Sequence, residues 1–226
     1  MALQKTVSEV TTSSVASSPK RAARVTSKAA HTREHLLGTA AELLKEVGLA
    51  RFSTRLFAKR AGVAEGTLYH HFPDKQALIV ECIAVRAYGL QAIIGDLPMR
   101  VGAGDVTAHL VELCAAALGF FDDATILMCN VLSDAPTLAW HRNFMETTRH
   151  GPIAERERIA LYLSAEQRLG RLRPEADPGL VANLLLHSMS AQANMDTLMG
   201  RIRTQEETQA YASSVVQALG KGFLPA

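Results

Sequence analysis

Residues 53–78 read STRLFAKRAGVAEGTLYHHFPDKQAL, and this stretch decides the fold. Ser53 is placed to cap a short helix, 54–60, buried through the face of Leu56, Phe57 and Ala58. Ala61-Gly62-Val63 then forms a tight turn, with Gly62 suited to positive φ. A second short helix covers 65–71. Pro73 stops it, and Asp74 caps the helix that follows. Helix, three-residue turn, helix is the helix-turn-helix arrangement. The 65–71 helix is too short and polar for a core helix, yet Tyr69, His70, His71 and Phe72 crowd its end. Such a helix calls for a partner outside the protein.

Working outward, Leu36, Leu37, Ala40, Leu43, Leu44 and Val47 recur at helical spacing, with Thr32 as an N-cap and Gly48 as a stop. Phe52 plugs the small core. The helix opened by Asp74 carries Leu78, Ile79, Cys82, Val85, Tyr88 and Leu90 toward about Asp96. Leu97-Pro98 and Gly102-Ala103-Gly104 mark a loop. Further helices are expected over 105–121, 124–132 and 137–170, the last kinked or split at His150-Gly151-Pro152. Asp177-Pro178 opens a helix through Met199, and the capping box Thr204-Gln205-Glu206-Glu207 opens one ending at Gly220. No strand pattern is present. The expected class is all-α, in three parts: a disordered basic arm over 1–30, a helix-turn-helix domain over 31–78 and a larger helical domain over 79–226.

Charge separates the same regions. Of 226 residues, 48% are apolar and 5% aromatic, and the formal net charge is only +2. From Pro19 to Lys75 eleven basic residues face five acidic ones, while from Gln76 onward twelve basic face sixteen acidic. A basic N-terminal third on an acidic remainder points to a polyanion-binding module on a body with another task. Cys82, Cys114 and Cys129 are odd in number and lack metal-ligand spacing, so each reads as a small hydrophobe. No signal-peptide core and no run of about 18 apolar residues is seen, so a cytoplasmic protein outside the membrane is expected. HExxH, phosphate-loop and nucleophile-elbow patterns are absent, and the adjacent His70 and His71 diverge by about 100° on a helix. Neither an enzyme, a metal site nor a cofactor is expected.

The stretch from about Thr32 to Leu78, and Ser53 to Leu78 above all, resembles the TetR family of transcriptional regulators. The resemblance implies an all-helical homodimer whose first three helices bind a double-stranded DNA operator. The remaining helices would hold an effector pocket and the dimer interface. Two positions depart from the family pattern: Ala64 stands where Ser often caps the third helix, and Phe57 where Ile or Leu is usual. The DNA-contacting set is Ser53, Thr54, Arg55, Glu65, Gly66, Thr67, Tyr69, His70, His71 and Lys75. The Tyr69 hydroxyl, Thr67, His70, His71 and Lys75 are suited to phosphate, with packing open as the role of one of the two histidines and of Tyr69. Arg55 matches guanine, and Glu65, an acceptor only when ionised, matches the amino group of cytosine. Gly66 permits close approach to the groove. For Arg55 a surface ion pair, and for Glu65 a helix-dipole role, remain open.

Beyond the resemblance, polar or soft groups punctuate otherwise apolar helices. Ordinary packing accounts for each singly; taken with the resemblance, Tyr88, Cys114, Phe120, Phe121, Met128, Trp140, His141, His187 and Asn194 are the candidate lining of a pocket for a mainly hydrophobic effector. The 180–191 segment is apolar nearly all round, and Val181, Leu185, Ser188 or their neighbours, with Ala210, Tyr211, Ser214 and Ala218, are expected to form a homodimeric four-helix bundle. The function expected is that of a repressor released from a palindromic operator by a small molecule. An effector-independent or architectural DNA-binding protein is the alternative, and the DNA-binding helices leave a corepressor-dependent or activating regulator open as well.

Overall fold

The structure, a computed structural model, describes residues 19–225, with side chains from residue 31 onward. Ten α-helices follow in order: α1 Pro19–Val47, α2 Thr54–Ala61, α3 Glu65–His71, α4 Lys75–Ala84, α5 Tyr88–Arg100, α6 Val106–Leu132, α7 Ala135–Thr148, α8 Pro152–Arg168, α9 Pro178–Met199 and α10 Gln205–Phe223. Short 3-10 turns at Leu49–Arg51 and Val85–Ala87 join α1 to α2 and α4 to α5. No strand occurs among the described residues.

Local signals set most boundaries. Ser53, Asp74, Asp105, Asp134, Asp177 and Thr204 each accept a backbone N–H at the start of a helix, and Thr204 with Glu207 completes the capping box. Gly62 and Gly200 close α2 and α9 in the left-handed conformation. Four expectations need correction. The first 18 residues of the expected arm lie outside the described residues, but from Pro19 the chain is already helix, so Thr32 is not an N-cap. The helix expected to end near Asp96 breaks into α4 and α5 at Val85–Ala87 and then passes through Pro98 to Arg100. Leu90, Ile94 and Leu97, all buried, hold that last turn although Pro98 lacks an N–H. The helices expected over 105–121 and 124–132 are one helix, α6, because Asp122 and Asp123 each find a cation, Arg203 and Lys45. Finally, Lys75–Arg100 holds an 18-residue window of mean hydropathy 1.7, so a segment apolar and long enough for a membrane does exist. Ala77, Leu78, Ile79, Val80, Cys82 and Ile83 spend that apolarity on burial inside the protein.

Two cores divide the molecule. The head core packs Leu36, Leu37, Leu43 and Leu44 of α1 with Phe57, Leu68, Phe72, Leu78 and Ile79. Phe57 and Phe72 are fully buried, each stabilising by about 1.5–3 kcal/mol. Leu56, expected inside, is 37% exposed. The body core joins α5, α6, α8, α9 and α10 through residues such as Leu97, Leu110, Leu113, Leu163, Leu185 and Val216. The C-terminal half of α6 belongs to the head core as well, through Ala124, Leu127 and Val131, with Leu138 and Trp140 of α7 packed alongside. Thus α6 spans from the body into the head. On the head side, Asn130 Oδ1 accepts the Leu49 amide at 2.6 Å and Asp123 lies 3.6 Å from Lys45. On the opposite side, Thr125 donates to Asn194 of α9, and Asp122 accepts two hydrogen bonds from the buried Arg203, which also pairs with Asp196.

Candidate nucleic-acid interface

The head presents α2 and α3 on one surface. Arg55, Glu65, Gly66, Tyr69 and His70 are exposed, and Thr54, Thr67, His71 and Lys75 are half-buried beside them. The Leu68 and Phe72 side chains turn inward and fix α3 from behind. Tyr69 is 53% exposed, an amphipathic ring with no burial to explain it. The rings of His70 and His71 meet edge to face at 5.3 Å.

Several of these groups already have protein partners. Ser53 is exposed but uses its Oγ to cap α2, accepting from the Leu56 amide at 3.1 Å. Lys75, first residue of α4, donates to the Phe52 carbonyl at 3.1 Å and lies 5.7 Å from the Phe52 ring. One of its three N–H groups therefore serves the head itself, and two remain for an anion. The Thr54 hydroxyl donates to Glu65 Oε1, a contact across the turn that sequence reasoning missed. Ala64 supplies no cap to α3. A Cβ built on Gly66 would meet nothing within 4 Å, so the protein's own packing does not demand glycine there. Arg33 clamps the other side of the head, paired with Glu81 and stacked over Phe72 at 4.7 Å.

With this geometry, the sequence profile described as bacterial regulatory proteins, tetR family, matches residues 36–82, which is the head. Over these residues the chain is similar to the DNA-binding head of the TetR family. The class C tetracycline repressor of Escherichia coli is 47% identical over 47 residues, 21% of this chain and 22% of that protein. The regulator BetI of Ectopseudomonas mendocina is 26% identical over 124 residues, covering 55% of this chain and 58% of BetI. These two matches span less than two thirds of the relatives' length. BetI of Serratia proteamaculans aligns over 85% of this chain and 94% of its own, at 23% identity. Among solved structures, a TetR-family regulator from Mesorhizobium loti superposes with a TM-score of 0.68 at 17% identity, over 87% of this chain and 98% of that one. Bacillus subtilis FadR in complex with stearoyl-CoA superposes at 0.64 with 14% identity, over 84% and 98%. These superpositions extend the TetR fold across the body.

In the body of the protein the nine residues expected to line a pocket do not come together. Tyr88, 63% exposed, and His187 and Asn194, also exposed, stand outside, because the apolar side of each helix takes the core and turns them outward. Asn194 Oδ1 instead accepts from Thr125. Cys114 is buried in the body core, where burial pushes its thiol up to about 12. Phe120 and Phe121 touch at 5.1 Å between ring centres at the body core, Phe120 reaching the head core too. Met128 and Trp140 pack on the head core, and Trp140 stacks with Phe144. His141 is buried with Nδ1 unpartnered, and desolvation holds its pKa below the ordinary value. A cleft of about 440 Å³ lies elsewhere, at Thr107, Arg173, Gln217, Gly220, Lys221, Leu224 and Pro225. Thr107 is in the first turn of α6, remote from the half that enters the head. Among the described residues no group of three or more His, Cys, Asp or Glu is arranged to hold a metal.

On α9, Val181 and Leu185 face the body core, against the expectation that they serve a partner. Their neighbours Leu180 and Leu184 are exposed, as are Met195, Leu198, Met199 and Ile202, the last at 93%. On α10, Ala210, Ser214 and Ala218 are exposed and Tyr211 is half-buried.

Proposed function

We propose that the protein is a sequence-specific DNA-binding transcriptional regulator, acting in the cytoplasm as a homodimer and released from a palindromic operator by a mainly hydrophobic small molecule. The observation that carries this reading is the exposed surface of α2 and α3, where Arg55, Glu65, Tyr69 and His70 share one side of a head matched to TetR regulators. Arg55 would read guanine through its guanidinium, and Glu65 an exocyclic amino group. Tyr69, Thr67, His70, His71 and Lys75 would fix the head on phosphates.

The apolar face of α9 supports the dimer. Leu184 and Leu198 are equally spaced about the exposed Ala191, so an antiparallel two-fold through Ala191 would set Leu184 of one copy on Leu198 of the other. The small exposed residues of α10 would allow close approach alongside. For the effector, the stearoyl-CoA held by FadR supports an acyl or other hydrophobic ligand. Phe120 reaches both cores, with Phe121 beside it and Met128 and Trp140 on the head core, so a hydrophobic ligand would enter by parting the packing where the two cores meet. Its binding would be transmitted through α4 and α5 to the spacing of the two heads.

The test is selection of bound duplexes from a random pool. A palindrome with half-sites about one helical turn, or a multiple, apart is expected. Uniform coating without enrichment would instead mark an architectural protein and overturn the reading.

A further inference from the structure

At the front of α3, Ala64 gives no cap, and Glu65 is the first helical residue. A lone glutamate there would rotate freely and lie toward the amide groups of its own helix, drawn by their partial positive charge. Glu65 is held otherwise. Its Oε1 accepts the hydroxyl hydrogen bond of Thr54, first residue of α2 and eleven positions earlier. Thr54 is in turn fixed by its backbone, because Ser53 immediately before it caps α2. The bond therefore ties the leading ends of the two helices of the motif. Thr54 is half-buried and Glu65 exposed, so the tie lies on the surface that α2 and α3 share with Arg55 and Tyr69. A hydroxyl hydrogen given to a carboxylate is not simultaneously given to a phosphate, which sets Thr54 apart from the backbone contacts.

We infer that Thr54 is a positioning residue that sets the base preference of Glu65. This rests on the DNA-binding reading above. With Oε1 held, Oε2 is the oxygen left for a base edge. An ionised carboxylate accepts from cytosine N4 or adenine N6 and repels guanine O6 and thymine O4. Restraining it concentrates that discrimination at one base pair of each half-site. An unrestrained Glu65 swings out of register, and discriminates less, while its charge stays on the surface.

The experiment compares wild type, Thr54→Val and Thr54→Ser by selection from a random duplex pool. The selected site and its single-base variants are then competed for binding. Valine keeps the branched shape and removes the hydroxyl. Thr54→Val is expected to lose about three- to tenfold of preference at one base pair per half-site, with preferences elsewhere unchanged. Thr54→Ser should restore it. Glu65→Ala, which removes the acceptor, should lose preference at the same base pair, and adding Thr54→Val to it should cost nothing more there. Equal weakening on all sequences by Thr54→Val would mark a phosphate contact and overturn the inference. So would an unchanged preference at every position. If wild type enriches no sequence, the DNA-binding reading falls and takes this inference with it. If wild type enriches a palindrome and Thr54→Val reads it identically, this inference alone falls.

Discussion

Replacing Asn130 by leucine tests how the body grips the head. Asn130 sits near the end of α6, and its Oδ1 accepts the Leu49 amide at 2.6 Å while its Nδ2 returns to Ile126 O at 2.8 Å. Leu49 is 7% exposed and opens the 3-10 turn between α1 and α2, so its amide has no partner within that turn. Leucine has nearly the same shape and no acceptor. The Ile126 carbonyl keeps its place in the helix ladder, so that side of the loss is small. The Leu49 amide is left buried and unpaired, which costs about 1–3 kcal/mol. For a chain of this length that lowers the melting temperature by about 2–12 °C. Asn130→Asp, which retains an acceptor, should recover most of the loss. The assay is thermal melting together with amide hydrogen exchange at Leu49, where protection should fall in Asn130→Leu. Melting within about 1 °C of wild type, with Leu49 protected as before, would refute the argument that this bond holds the two cores together.

Three further outcomes follow from the geometry. Gly66→Ala should raise melting, because alanine favours helix by about 0.5–1 kcal/mol and meets no neighbouring atom, yet it should weaken binding to the selected DNA; unchanged DNA affinity would remove the close-approach role. Leu184→Glu with Leu198→Glu should give a monomer by light scattering at micromolar concentration, whereas a persisting dimer would move the interface elsewhere. His141 is held below its ordinary value of 6.5 by desolvation, so as pH falls through 6.5 the unfolded imidazole takes a proton that the folded one refuses, and stability falls with it. His141→Leu should flatten that part of the urea-midpoint curve between about pH 7.5 and 5.5, and an unaltered slope would contradict this.

What could be read from the sequence was what local chemistry specifies. The bounds of α3 and α9 match expectation because Pro73, Asp74, Asp177 and Pro178 punctuate the chain beside them. The N-cap Ser53 and the Thr204 box act within three residues and were equally visible. Features set by distant partners were not. Asp122-Asp123 reads as a helix break until Arg203, 81 residues away, and Lys45 neutralise it. The early start of α1 has no apolar stripe to announce it, since residues 19–30 are largely alanine, lysine and arginine, good helix formers without large apolar side chains. Periodicity shows that α9 is apolar but does not say whether Val181 and Leu185 or their neighbours Leu180 and Leu184 face the core, because a helix apolar nearly all round leaves the phase undetermined. For the same reason Tyr88, His187 and Asn194 were assigned to an interior they do not enter. The Thr54 to Glu65 bond depends on the angle between two helices, which no spacing encodes.

The 3-10 stretch at Val85–Ala87 makes α4 a lever. Its ten residues reach about 15 Å from that stretch to Lys75. A change of about 10° at its base would move Lys75 by about 2.6 Å on that arm, and in the proposed dimer two heads swinging apart would double the displacement, set against half-sites about 34–36 Å apart. The lever does not swing alone, because the Leu49 to Asn130 bond and the Lys45 to Asp123 pair fasten the head to α6 on a separate side. Those two contacts work as a catch. In the proposed release, how far the heads travel for a given tilt at Val85–Ala87 would depend on whether the catch slips or carries α6 with it.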